Sequence, residues 1–136
     1  MGKAVAEACR AFAPLHLRAE RIGFFPQPRF PRVVWAWVHD DQRQLPLLHS
    51  AINEATRRFT VQPEEKEFTG HLTLGRTRNL KTAQARVLAK IAEELVNRSF
   101  GAWTADAVEI MRSRLSSSGS EHSRIASIPL TARLPD

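Results

Sequence analysis

Cysteine is nearly absent from this sequence: Cys9 is the only one in 136 residues. A single thiol excludes an internal disulfide and a cysteine-based metal cluster, so Cys9 is expected to be a small residue on a helix. The same scarcity makes a reducing cytoplasm the natural compartment. No apolar run exceeds a few residues, which excludes a membrane-spanning helix. The opening stretch MGKAVAEACRAFAP contains acids and bases and lacks the apolar core of a signal peptide. Glycine is scarce too: six residues lie scattered, and none forms a phosphate-cradling loop. G-x-S-x-G is missing, so a serine hydrolase has no anchor. The five histidines (His16, His39, His49, His71 and His122) never stand at a metal-ligand spacing such as H-x-x-x-H, and no acids cluster beside them. Neither a metal nor another cofactor is expected.

Lysine is the next shortage. Only Lys3, Lys66, Lys81 and Lys90 stand among 20 bases, against 14 acids and a net charge of +6. Arginine offers phosphate a planar fork of donors, so this balance suits a polyanionic partner such as nucleic acid. An arginine-rich but merely solvated surface fits the same numbers. Hydrophobic residues at 43% and charged residues at 25% are ordinary for a globular chain, and 136 residues suit one domain, 1–136.

Helical spacing of Val5, Ala8, Cys9 and Phe12 predicts a helix over 3–13, ended by Pro14. LHLRAERIGFF reads as a strand with Leu15, Leu17, Ala19 and Ile22 inward, and the shift of phase near Arg21 predicts a bulge. FPQPRFPR, with three prolines in eight residues, must be a loop. RVVWAWVH is a strand by composition, with Trp35, Trp37 and Phe24 assigned to packing. From Asp41 to Phe59 the pattern is helical again, with Leu45, Leu48, Ile52, Ala55 and Phe59 as the buried stripe and Pro46 in the first turns. VQPEEKEFTG is turn-like, a strand follows over 71–77, and a helix over 82–96 carries Ala85, Leu88, Ala89, Ala92 and Leu95 inward. FGAWTADAVEIMRSRL and SRIASIPLTARL read as two strands joined by the SSSGSE turn. The implied fold class is α+β, antiparallel sheets with helices packed outside.

Within this frame, 69-TGHLTLGRT-77 is the stretch that carries chemistry. Alternation in a strand puts His71 and Thr73 on one face, ~7 Å apart, with Leu72 and Leu74 buried on the other. Imidazole moves protons near neutral pH, and a threonine hydroxyl can donate to a phosphoryl oxygen. A half-buried strand with an incidental polar face reads the same way. Strict alternation turns Arg76 away from His71 unless a bulge or the strand end turns it. Arg112 and Arg114, with His122 across the turn, are further candidates for contact with a polyanion on the last hairpin, or solvated charges on an exposed ribbon.

Four segments in order, IGFFPQPRFPRVVWAWV, DQRQLPLLHSAINEATRRF, PEEKEFTGHLTLGRTRN and SFGAWTADAVEIMRSRLSSSGSEHSRIASIPL, resemble the 2'-5' RNA ligase / RNA 2',3'-cyclic phosphodiesterase family of two-histidine phosphoesterases. The resemblance runs from about His16 onward. It implies a bilobal fold in which two H-x-T/S-x motifs face each other across a basic cleft. It implies cleavage of a terminal 2',3'-cyclic phosphate on RNA without metal or nucleotide cofactor, or the reverse joining through a 2'-5' linkage. One histidine would activate water, the other would protonate the leaving oxygen, and the hydroxyls would hold the phosphate. On this pattern His71 and Thr73 are the catalytic candidates, and Arg76, Arg114 and His122 are substrate-binding candidates. The chain departs from the pattern in two ways: it has one motif, and Gly70 stands where the family commonly has proline. Three expectations follow: a chain shortened at its N-terminus, an RNA-end-binding domain without catalysis, or a homodimer in which each copy supplies one His71. A purely structural dimer module with an incidental His71 is the reading from another class.

Overall fold

The two runs richest in strand-forming residues become β1 (Leu15–Phe25) and β2 (Val33–His39) in the computed structural model, which describes residues 1–62 and 67–133. Part of the expected 61–70 turn, Pro63–Lys66, and Leu134 of the expected return strand lie outside the described residues. The other elements are α1 (Gly2–Cys9), α2 (Gln44–Thr56), β3 (His71–Arg76), α3 (Thr82–Glu94), β4 (Ser99–Ala105), β5 (Ala107–Ser116) and β6 (Gly119–Pro129). The class is α+β, with antiparallel strand pairing between β1 and β2, β2 and β3, and β5 and β6. The chain divides into two compact units: Met1–Leu15 with Gln44–Lys66 and Thr104–Asp136, and His16–Arg43 with Glu67–Trp103.

In the first unit, α1 packs on α2 and on β6. Val5, Cys9, Phe12, Leu48, Ile128 and Leu130 are buried there. Cys9 is fully covered on the inner side of α1, and burial pushes its thiol pKa up, so it stays protonated and behaves as a small apolar group. Pro46 sits in the first turn of α2, where its missing N–H would have had no helical partner. The α2 stripe is shorter than the expected one. The chain tightens into a 3-10 turn over Arg57–Phe59, and Phe59 is exposed rather than buried. A 3-10 turn advances each residue by a different angle and so carries Phe59 off the helical stripe.

The second unit is a four-stranded sheet of order β3-β2-β1-β4. The expected bulge is present: Glu20 pairs with Trp37 and Ile22 with Ala36, leaving Arg21 unpaired at φ 62°. The surplus residue restores the phase, so Ile22 joins Leu17 and Ala19 on the apolar face with Ala36 and Val38. The stretch 100–115, read as one strand from sequence, is two. It breaks at Asp106, with β4 in the four-stranded sheet and β5 in the β5–β6 ribbon. The Asp106 carbonyl accepts from the Leu130 N–H at 2.8 Å.

Two burial expectations fail in this unit. Leu72 and Leu74 are 47% and 60% exposed, and of the α3 stripe only Ala85 is buried. Burial depends on what is laid against a face as well as on alternation. β3 is an edge strand, so its side chains have a neighbouring strand on one flank only.

Trp35 is the centre of the opposite face. It is 3% exposed, stacks on Phe25 with ring centroids 4.7 Å apart, and meets Trp37 edge-on at 4.7 Å. Such aromatic pairs add ~0.5–1.5 kcal/mol each beyond area burial. Gly23 lies directly across the ladder from Trp35, and a Cβ there would overlap the indole ring. Gly23→Ala is therefore expected to lower stability by about 1–3 kcal/mol, read as a lower urea midpoint with an unchanged slope. An unchanged midpoint would mean that the indole is free to move aside.

Candidate functional site

Strict alternation through HLTLGR would set Arg76 on the face of Leu72 and Leu74, but the ladder shows otherwise. Trp37 pairs with His71 and Trp35 with Thr73, whereas Val34 pairs with Gly75 and Val33 with Arg76. Leu74 is thus the one residue of β3 with no partner across the ladder. A surplus residue reverses the phase of everything after it. Residues paired across an antiparallel ladder share a face, so Arg76 lies with Val33, Trp35, Thr73 and His71. Strict alternation would have turned it away; the bulge brings it round.

The closeness of these pairs follows from the hydrogen-bond pattern. The Val38 N–H donates to the Gly70 carbonyl at 2.9 Å, one step beyond the ladder. The pairs Trp37–His71 and Trp35–Thr73 therefore fall at non-hydrogen-bonded positions, where facing side chains approach most closely.

His71 is exposed, and its ring is held from two sides. Phe25 meets it edge-on at 5.3 Å and Trp35 at 5.9 Å. Its Nδ1 lies 2.7 Å from the Thr69 carbonyl. A carbonyl can only accept, so Nδ1 is the donor, and in the neutral ring Nε2 carries the lone pair. A ring poised this way can take a proton at Nε2 or, once protonated, give one back. Thr73, one position along the same face, offers a hydroxyl, and Arg76 a fork of N–H donors.

Two features of this face were not singled out by the sequence reading. Trp37, assigned to packing, is 40% exposed beside His71. Its alternation with buried Trp35 says which face it shares but not whether anything covers it. The second feature is a charged group further along. His39 Nε2 lies 2.9 Å from Glu20 Oε1 and 3.1 Å from Arg18 Nη2, and Arg18 Nη2 donates to Asp41 Oδ1 at 2.8 Å. Arg18 pairs with His39 and Glu20 with Trp37, so this group occupies the His71 face. The signal was the shared phase of Arg18, Glu20, Trp37 and His39 once the strands are aligned.

Arg114 and His122 are on the β5–β6 ribbon of the other unit. Arg114 pairs with Glu121, whereas His122 pairs with Ser113 and its Nδ1 lies 2.9 Å from the Ser113 hydroxyl. Neighbouring positions on a strand face opposite ways, so Arg114 and His122 are on opposite faces of the ribbon. Among the described residues, no three His, Cys, Asp or Glu side chains converge on one point. No helix among them is long and apolar enough to cross a membrane.

Comparison with known proteins adds an independent line. The chain is 30% identical over 115 residues to an RNA 2',3'-cyclic phosphodiesterase of Methanothermobacter thermautotrophicus, covering 85% of this chain and 60% of that protein. It is 32% identical over 90 residues to an RNA 2',3'-cyclic phosphodiesterase of Archaeoglobus fulgidus, covering 66% and 48%. The chain thus spans about half to three-fifths of the length of these relatives. Its fold is similar to that of the protein TT0787 of Thermus thermophilus, with TM-score 0.69 at 21% identity, covering 94% of this chain and 67% of that one. The family model of the 2'-5' RNA ligase superfamily matches residues 1–116, and the chain belongs to that superfamily.

Proposed function

We propose that this chain recognises RNA ends carrying a 2',3'-cyclic phosphate and opens the cyclic ester by proton transfer at His71. The observation that carries the reading is the joint placement of His71, Thr73 and Arg76 on one face of β3 by the Leu74 bulge. The names of the relatives at 30% and 32% identity support the substrate class.

In this reading Thr73 and Arg76 hold the non-bridging phosphate oxygens. Water adds to phosphorus, and the bond to one ribose oxygen breaks. One group accepts the proton from water and another returns a proton to the departing oxygen, so the step is proton-neutral. The Nε2 of His71 serves as one of these two groups. The partner group is a second proton carrier, and the exposed edge of β3 supports a second copy of this chain as its source. Arg114 and His122, on opposite faces of the β5–β6 ribbon, are further candidates for RNA contact. A second reading, recognition of RNA ends without turnover, rests on the single H-x-T motif in the chain.

Hydrolysis of a nucleoside 2',3'-cyclic phosphate, followed with chelator present, tests this directly. His71→Ala is expected to lower the rate by ~10²–10⁴-fold. Thr73→Val is expected to weaken substrate binding, and specific activity is expected to rise with protein concentration. A rate unchanged in His71→Ala would overturn the assignment. Binding that needs His71, with no turnover at any concentration, would support the second reading. Nitrogen-15 spectra of the neutral His71 ring are expected to show the proton on Nδ1, and a proton on Nε2 would contradict the orientation described above.

A further inference from the structure

The loop joining β1 to β2, residues 26–32, is tied to the chain leaving β3. The Thr77 N–H donates to the Arg32 carbonyl at 2.9 Å, and the Thr77 hydroxyl donates to the Pro31 carbonyl. These two bonds fix the loop against the segment before α3. Between them lies a cavity of about 480 Å³, with Arg29, Arg32, Thr77, Arg78, Asn79 and Thr82 in its lining. Among the described residues, no acidic residue lines it. Among the same residues, none of these three arginines is ion-paired with a carboxylate. Arg29 lies over the Phe30 ring at 5.7 Å, and Phe30 lines the same cavity.

Three arginines line one concavity, and with no carboxylate to balance them among the described residues they raise the local positive potential. The chemistry that relieves this is an oxyanion with several acceptor atoms. A phosphate fits best, because the planar fork of arginine meets two of its oxygens at once. The Thr77 and Thr82 hydroxyls and the Asn79 amide add neutral donors.

The cavity lies at the far end of β3 from His71. Thr77 is six positions beyond His71, but the surplus Leu74 adds no step to the ladder, so the advance is that of five residues, roughly 17 Å along the strand at ~3.3 Å per residue. A mononucleotide held at His71 cannot span that distance, whereas an oligonucleotide can. We propose that this arginine-lined cavity binds an internal phosphodiester of the RNA strand whose end lies at His71. The inference rests on the reading of RNA ends given above. It makes the cavity the element that favours oligoribonucleotides over mononucleotides.

The test is binding of a fluorescently labelled oligoribonucleotide with plain 3'-hydroxyl ends, which does not depend on cyclic-phosphate chemistry. Arg29→Gln, Arg32→Gln and Arg78→Gln are combined in one chain. The expected result is a loss of oligoribonucleotide affinity of roughly tenfold or more and a shallower dependence on salt. Affinity for a nucleoside 2',3'-cyclic phosphate is expected to stay unchanged. Arg86→Gln, a charge change on α3 outside the cavity lining, is expected to leave both affinities alone. Equal losses in Arg86→Gln and in the triple variant would reduce the effect to overall charge and overturn the proposal. Unchanged oligoribonucleotide affinity in the triple variant would overturn it as well. Inorganic phosphate that binds the wild type and not the triple variant, with oligoribonucleotide affinity unaffected, would make this a free-anion site and contradict the RNA assignment. A failure of cyclic-phosphate turnover, with oligoribonucleotide binding lost in the triple variant, would leave this proposal standing and sink only the catalytic reading.

Discussion

Leu74 has no partner across the β2–β3 ladder, and that one-residue surplus decides which side of the sheet Arg76 reaches. Without it, alternation would leave His71 and Thr73 facing one way and the guanidinium the other. With it, an imidazole, a hydroxyl and a guanidinium share one face on a short, rigid element. The cost is an unpaired leucine exposed at the edge of the sheet. The Arg21 bulge in β1 does the complementary work: it keeps Leu17, Ala19 and Ile22 together on the apolar face and leaves Gly23 and Phe25 under the aromatic cluster. Two surplus residues on flanking strands therefore set both faces of the sheet.

The aromatic cluster explains why the face holds its shape although His71 is exposed. Trp35 fills the space above Gly23 and is gripped by Phe25 and Trp37, and the His71 ring rests edge-on against Phe25 and Trp35. The Thr69 carbonyl fixes the remaining freedom of the ring by accepting from Nδ1. An imidazole whose Nδ1 donates to a backbone carbonyl presents Nε2 as its proton acceptor in the neutral ring. The arginine-lined cavity at the far end of β3 continues the same logic at a distance, since Thr77 anchors the proline-rich loop that supplies two of its three arginines.

Much of this was legible in the residues. The phase shift at Arg21 announced a bulge, Pro46 marked the first turn of α2, and HLT placed His71 beside Thr73. The α+β class followed from strand runs alternating with helical stripes. Other features could not be read because they depend on partners. HLTL alternates and Arg76 falls out of phase with it, which left a bulge open, but its presence shows only when β3 is laid against β2. The burial assigned to Leu72, Leu74, Phe59 and Trp37 presumed covering elements that the alternation itself cannot reveal. The break at Asp106 separates two apolar strand runs with no proline or glycine to mark it, and the side of the ribbon taken by His122 depends on its register with Ser113.

The most direct test of the shared face is a nitrogen-15 and carbon-13 NMR titration of the 136-residue chain with a nucleoside 2',3'-cyclic phosphate. The account expects signals of His71, Thr73 and the Arg76 side chain to shift together along one binding curve, with Arg76 showing cross-strand contacts to Val33. Shifts at His71 and Thr73 without Arg76, together with Arg76 contacts to Arg32 in place of Val33, would contradict it.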